Sequence, residues 1–263
     1  MLLKYLRIIG MFIRISFING LEYKANFILG GLFEFSWIIM NIIFFRVIYL
    51  NTSSIAGWNM NEVLLLVFIC GFVDSVHSFF FASGFISIPN MIRDGQLDFV
   101  LLKPINKRFY LAFRLTNIGQ LFNIVFNLTM IIIYLIKLSE AFDFLKVFMF
   151  FMLIGIGILI VNAFYFTLSM IAFWVIQVNA IIGYSQELFT IGNKPLSIYP
   201  QVIQKIFIYL IPLGIAFSYP ILYYSKKLDW IDVTLAFIIA TLFFGFSHFL
   251  YRKGFKRYTS ASS

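Results

Sequence analysis

Residues 144–190 read FLKVFMFFMLIGIGILIVNAFYFTLSMIAFWVIQVNAIIGYSQELFT. In these 47 residues the charged side chains are Lys146 and Glu187, each near an end. A soluble fold buries one stripe of a helix and wets the rest. This run is apolar on every side, which suits a bilayer. A spanning helix needs about 20 residues to cross a hydrocarbon core of about 30 Å. As one helix the run is about twice too long. Two spans joined by a tight turn near residues 165–170 is the favoured reading. The alternative makes 144–175 a single tilted span.

The same texture extends outward. Of 263 residues, 62% are hydrophobic and 12% are charged, against roughly 25% charged in a soluble domain. Further apolar segments lie at 25–50, 62–86, 112–136, 203–224 and 231–251. Pro212 and Pro220 interrupt 203–224. Each removes a backbone donor and clashes with the preceding turn, so this segment reads as a re-entrant pair of helices before the last span. The alternative makes 203–224 the fifth span. Either way the expectation is an all-α integral membrane protein with six transmembrane helices, residues 1–263 forming a single transmembrane domain. The matching broken helices of inverted-repeat transporters are not visible in the two halves.

Residues 1–24 place Lys4, Arg7 and Arg14 at helical spacing among apolar residues. That predicts an N-terminal amphipathic helix lying in the membrane interface. Arg14 interrupts what would otherwise be the apolar stretch of a signal peptide. Orientation follows from Lys and Arg. With the N-terminus inside, thirteen of twenty fall in the inner segments 1–24, 86–114 and 252–257. Both termini are therefore expected in the cytoplasm of a multi-pass protein of the cell membrane. Tyr49, Trp58, Tyr134, Tyr223, Tyr224 and Trp230 would mark the outer interface, Tyr110 and Tyr251 the inner one.

Some chemistries have little footing. Cys70 is the lone cysteine; it forms no intrachain disulfide and reads as a small buried hydrophobe. His77 and His248 are the two histidines and lie in different spans, so neither a metal site nor a membrane-embedded enzyme is expected. The net charge of +9 is spread over interfacial segments, and nucleic acid is not among the expected partners.

One stretch breaks the pattern. Residues 91–110, MIRDGQLDFVLLKPINKRFY, carry six charges: Arg93, Asp94, Asp98, Lys103, Lys107 and Arg108. The count of spans makes 87–111 a cytoplasmic loop between the second and third. Asp94 can N-cap a short helix, and Gly95 permits a tight turn before it. Leu97, Val100 and Leu101 then share one face, and Lys103-Pro104 stops the helix. About two turns, roughly 12 Å, would expose an apolar face to the cytoplasm. Such a helix either docks on a partner protein or lies against lipid.

Here a resemblance becomes specific. Gly95-Gln96-Leu97-Asp98 followed by Leu101-Leu102-Lys103-Pro104-Ile105 resembles the G-x-L-D-x-x-L-L-[KR]-P-[IV] pattern in permease subunits of ABC-2-type ABC transporters. Phe173-Trp174, Pro195, Tyr199-Pro200, Pro212 and Pro220 resemble that family's FW, P, YP, P, P order. The resemblance implies a permease without its own motor. The loop would be a coupling helix seated in a cleft of a separate ATPase, with Asp94, Gly95, Leu97, Asp98, Leu101 and Pro104 at the contact. It also implies two ATPase copies, a second permease chain (identical or paralogous), and export of a hydrophobic or amphipathic drug, lipid or peptide. The chain contains no G-x-x-x-x-G-K-[ST] phosphate loop, so ATP and Mg would be bound by the partner and no cofactor by this chain.

Ionisable and amide groups within spans are the remaining candidates, because charge at membrane depth is costly. Glu34 and Asn41 share a face of the first span, and Asp74 and His77 are neighbours in the second. Arg114, Asn117, Gln120, Asn123 and Asn127 step by three and four, predicting one polar stripe along the third span. Such groups either line a pathway or hydrogen-bond helices together at about 0.6 kcal/mol per contact. A proton relay through Glu34, Asp74 and His77 in an ion-coupled transporter is the competing function.

Overall fold

The computed structural model describes residues 2–22, 24–139, 143–175, 178–192, 194–225 and 227–258. Among them the fold is all helix, apart from one isolated bridge between Ile55 and Trp58. α1 (Leu2–Glu22) and α2 (Lys24–Tyr49) open the chain. α3 (Met60–His77) runs through a wide turn at Ser78–Ala82 into α4 (Ser83–Arg93). α5 (Leu97–Leu101) and α6 (Lys107–Phe113) follow, then α7 (Leu121–Leu138) and α8 (Phe144–Met170). α9 (Val178–Gly192), α10 (Gln201–Lys205), α11 (Leu213–Phe217), α12 (Tyr219–Tyr224) and α13 (Trp230–Arg257) complete it.

Four helical stretches among the described residues are long and apolar enough to cross a membrane: Met60–Arg93, Ile118–Leu138, Phe144–Phe173 and Trp230–Arg257. Within an apolar 18-residue window of each, 67% of the residues are buried in the first and only 17% in the last. α3 with α4 is therefore the central post and α13 a peripheral one. α7 packs along α3, while α8 is flanked by α13, α11 and α12. Chemistry at the helix starts agrees with this order. Asn59 and Glu62 form a reciprocal capping box at α3, and Asp143 Oδ1 accepts from Lys146 N at α8.

Several sequence expectations need correction. The turn near 165–170 is absent, and α8 continues through a tight turn to Phe173 before breaking at Trp174. Residues 165–170, YFTLSM, hold no Gly or Pro, and Ser169 Oγ bonds back to the Tyr165 carbonyl at 2.9 Å without ending the helix. The second span also runs on to Arg93, with Pro89 inside it. α6 then begins at Lys107, so the loop between them, which carries α5, is 94–106. Helical structure within 203–224 is interrupted at Ile211–Pro212 and again at Ser218, with Pro220 in the first turn of α12.

Candidate functional site

α4 ends where Asp94 N–H donates to the Asn90 carbonyl at 2.8 Å. Asp94 thus closes α4, and the expected N-cap role on the next helix is not observed; α5 has no side-chain cap. Its carboxylate instead accepts from Arg93 Nε at 3.0 Å, with both side chains largely exposed. Gly95 takes φ +71°, the left-handed conformation that terminates helices and favours glycine. Dipeptide Asp-Gly after a helix is a stop signal, and it outweighs the capping propensity of Asp.

α5 is five residues, about 7.5 Å, shorter than the two turns expected. Its apolar residues also divide differently. Leu97 (0% exposed) and Val100 (2%) are buried against the protein, where α5 meets α4 and α6. Phe99 (70%), Leu101 (40%) and Leu102 (81%) face outward. So the face expected to dock is largely an anchor, and the exposed apolar group is Phe99, Leu101 and Leu102. Helical geometry accounts for Phe99, which lies two positions, about 200°, from Leu97; Leu101 shares the face of Leu97 but sits in the last position of α5, where the anchor ends. Exposed Pro104 follows in a turn closed by Ile105 N–H on the Lys103 carbonyl at 2.8 Å. Asn106 Oδ1 then caps α6 through Phe109 N–H at 3.1 Å. Asp98 lies beside Tyr258 at the end of α13; burial and then this carboxylate push the Tyr258 phenol up from its ordinary value.

The polar stripe expected on the third span is broken. The chain leaves helix at Arg114–Asn117, so Arg114 and Asn117 do not continue the face of Gln120, Asn123 and Asn127. Arg114 donates to Ser87 Oγ, and Asn117 Oδ1 caps the turn that starts α7. Gln120, Asn123 and Asn127 do form a buried ladder: Asn123 Nδ2 donates to Gln120 Oε1 at 3.1 Å, and Asn127 Nδ2 to the Asn123 carbonyl at 2.8 Å. A Cβ at Gly71 would stand 2.6 Å from Asn127 Oδ1, so a larger residue there would displace the Asn127 amide.

Asn41, Asp74 and Asn127 line one cavity of about 50 Å³. Asp74 also lines a second of about 40 Å³ with His77, Tyr165 and Ser169. The buried His77 ring stacks on Tyr165 with centroids 4.5 Å apart, and its Nδ1 has no hydrogen-bond partner. The side chain of Glu34 lies outside the described residues. Each cavity has room for about one or two waters and none for an amphipathic cargo.

A family model described as ABC-2 family transporter protein matches residues 35–262. The chain belongs to the ABC-2 transporter family. It is a multi-pass membrane protein and a permease of the ABC-2 type. Membrane subunits of this family normally carry no catalysis of their own, and a separate ATPase subunit drives them. A search of curated proteins returned no match.

Two features of this ABC-2 permease escaped sequence reasoning. At the end opposite the 94–106 loop, Lys227 Nζ donates to both Glu62 oxygens, at 2.8 and 2.9 Å, and to the Gly57 carbonyl at 2.9 Å. Trp58 Nε1 donates to Ser197 Oγ at 3.0 Å, and Tyr49 Oη to the Trp58 carbonyl at 2.8 Å. The Asn59-Met60-Asn61-Glu62 capping signature was available in the sequence; the partner 165 residues away was not. The second feature is Arg108, whose guanidinium packs over the rings of Phe166 and Phe244 at 4.6 and 4.5 Å.

Proposed function

We propose that this chain is half of an ABC-2 exporter's transmembrane unit. It forms the translocation pathway with a second permease chain, identical or paralogous, and two copies of an ATPase subunit that binds ATP and Mg drive it. α2 and α9 add two spans to the four long apolar helices, giving six. α1 lies in the interface, and 203–224 forms the re-entrant pair on the outer side. Both termini then face the cytoplasm of the cell membrane, and the cargo is hydrophobic or amphipathic: a drug, a lipid or a peptide.

The observation that carries this reading is the loop's build. Phe99, Leu101 and Leu102 project outward from a single helical turn that Leu97 and Val100 anchor from beneath. Three exposed apolar residues on a charged loop suit burial in a partner's cleft. The intramembrane cavities around Asp74 are too small for cargo, which favours a pathway between chains and a packing role for Asp74, His77, Asn123 and Asn127. Family membership favours ATP as the driving force over an ion-coupled relay through Glu34, Asp74 and His77.

The test is co-purification with the ATPase subunit from the native membrane. Phe99→Asp combined with Leu102→Asp is expected to abolish retention of the ATPase while the permease keeps its own unfolding temperature. Asp98→Lys is expected to retain less ATPase or to uncouple ATP turnover from transport. Full retention, turnover and transport in both variants would remove the coupling role from this loop.

A further inference from the structure

On the flank of the bundle, two cavities sit end to end. The larger, about 600 Å³, opens between α1, α6, α8 and α13. The other, about 430 Å³, lies between α8 and α13. Leu159 and Phe244 line both, so the two adjoin along one flank, together called the groove. Apolar residues dominate the walls, and among the described lining residues Arg108 is the one charged side chain. It stands at the end of the groove nearest the 94–106 loop, with Asn106 and Asn162 beside it in the same cavity.

Arg108 is half-buried over the rings of Phe166 and Phe244. Its Nη1 lies 3.2 Å from His248 Nδ1. Neither of the ion pairs among the described residues includes it. A guanidinium offers five N–H donors in a rigid fork. Here two aromatic rings position that fork, and no carboxylate neutralises it among the residues described. Along α8, the distance from Phe166 to Met152 at the far end of the groove is about 21 Å at 1.5 Å per residue. That exceeds the depth of one leaflet, about 15 Å of hydrocarbon.

We propose that this groove binds a phospholipid with an anionic headgroup, its phosphate on Arg108 and one acyl chain between α8 and α13, past Leu159 toward Met152. Arg recognises phosphate through paired N–H donors, and a basic pocket between membrane helices at the interface matches headgroup chemistry. Preference for an anionic over a zwitterionic lipid follows from the lining, which supplies a cation but no described carboxylate for an ammonium group. The lipid also joins α6, which carries Arg108, to α8 and α13.

Purified full-length chain in detergent would be titrated with dioleoyl phosphatidylglycerol or dioleoyl phosphatidylcholine. Bound lipid is read by native mass spectrometry and stabilisation by the unfolding temperature. The chain is expected to retain phosphatidylglycerol preferentially. Arg108→Gln should weaken that retention by about tenfold, the loss of one charge-assisted contact, and remove the preference for phosphatidylglycerol over phosphatidylcholine. Gly155→Leu supplies an arm that spares Arg108: a Cβ there meets nothing within 4 Å, and the larger side chain fills the chain-binding end. It too should lower phosphatidylglycerol retention, and it carries the test should Arg108→Gln not fold. Equal retention of the two lipids by the unaltered chain would overturn the proposal. So would unchanged phosphatidylglycerol binding in the variants, or full stabilisation by inorganic phosphate alone.

Discussion

At the Trp58 end of the bundle, Tyr49, Glu62, Ser197 and Lys227 tie four separate segments together through hydrogen bonds and one ion pair. At the Gly95 end, a five-residue helix rests on Leu97 and Val100 and shows Phe99, Leu101 and Leu102 outside. One end holds its polar groups inward and satisfied. The other leaves apolar groups outward and uncovered. A closed network of that kind resists rearrangement, whereas a short helix held by two side chains can shift as a unit with the helices beneath it. The contrast is between a braced end and a compliant one.

Breaking the braced end should have the largest effect. Lys227→Ala leaves the Glu62 carboxylate, whose side chain is 4% exposed, without its ion-pair partner. The expected cost is about 3 kcal/mol, reduced somewhat because Lys227 itself is partly exposed. It is read as a lower unfolding transition in detergent, and a loss under 1 kcal/mol would show that the pair is replaceable by water.

Next comes the anchor of the loop. Leu97→Ala removes a fully buried side chain and should cost about 2 kcal/mol, at the low end for leucine truncation because one helical turn can settle into the gap. The loss should be accompanied by faster proteolysis within 94–106. A global loss with no local change in cleavage would mean that the loop is part of the core.

The outward face of the same turn sharpens the comparison. Phe99→Ser should change stability by no more than about 0.5 kcal/mol, as surface substitutions generally do, while weakening ATPase retention. A loss of stability comparable with Leu97→Ala would place Phe99 in the protein's own packing. Smallest of all is Arg93→Ala. Its ion pair with Asp94 is exposed on both sides and should contribute about 0–0.5 kcal/mol, with no dependence on salt beyond that.

Much of this was legible in advance. The apolar runs announced the membrane, and the charged segment with Pro104 announced the loop. What the sequence could not divide was the role of neighbouring leucines. Leu97 and Leu101 look alike in a pattern, yet one is buried and the other exposed. The polar stripe breaks because the backbone leaves helix at Arg114–Asn117, which residue spacing alone does not show. Asp94 is ambiguous in sequence because an Asp before Gly can start one helix or finish another.

By itself the sequence determined local matters: which segments prefer lipid, where Pro and Gly stop helices, and that Asn59 and Glu62 cap α3. Those follow from chemistry within a turn or two of chain. Only the tertiary structure decided that Lys227 meets Glu62, that Arg108 lies against Phe166 and Phe244, and which side of α5 faces out. The reason is physical. Burial and charge pairing depend on which distant helix arrives alongside, and the residues that meet there are 58 to 165 positions apart, beyond the reach of any local pattern.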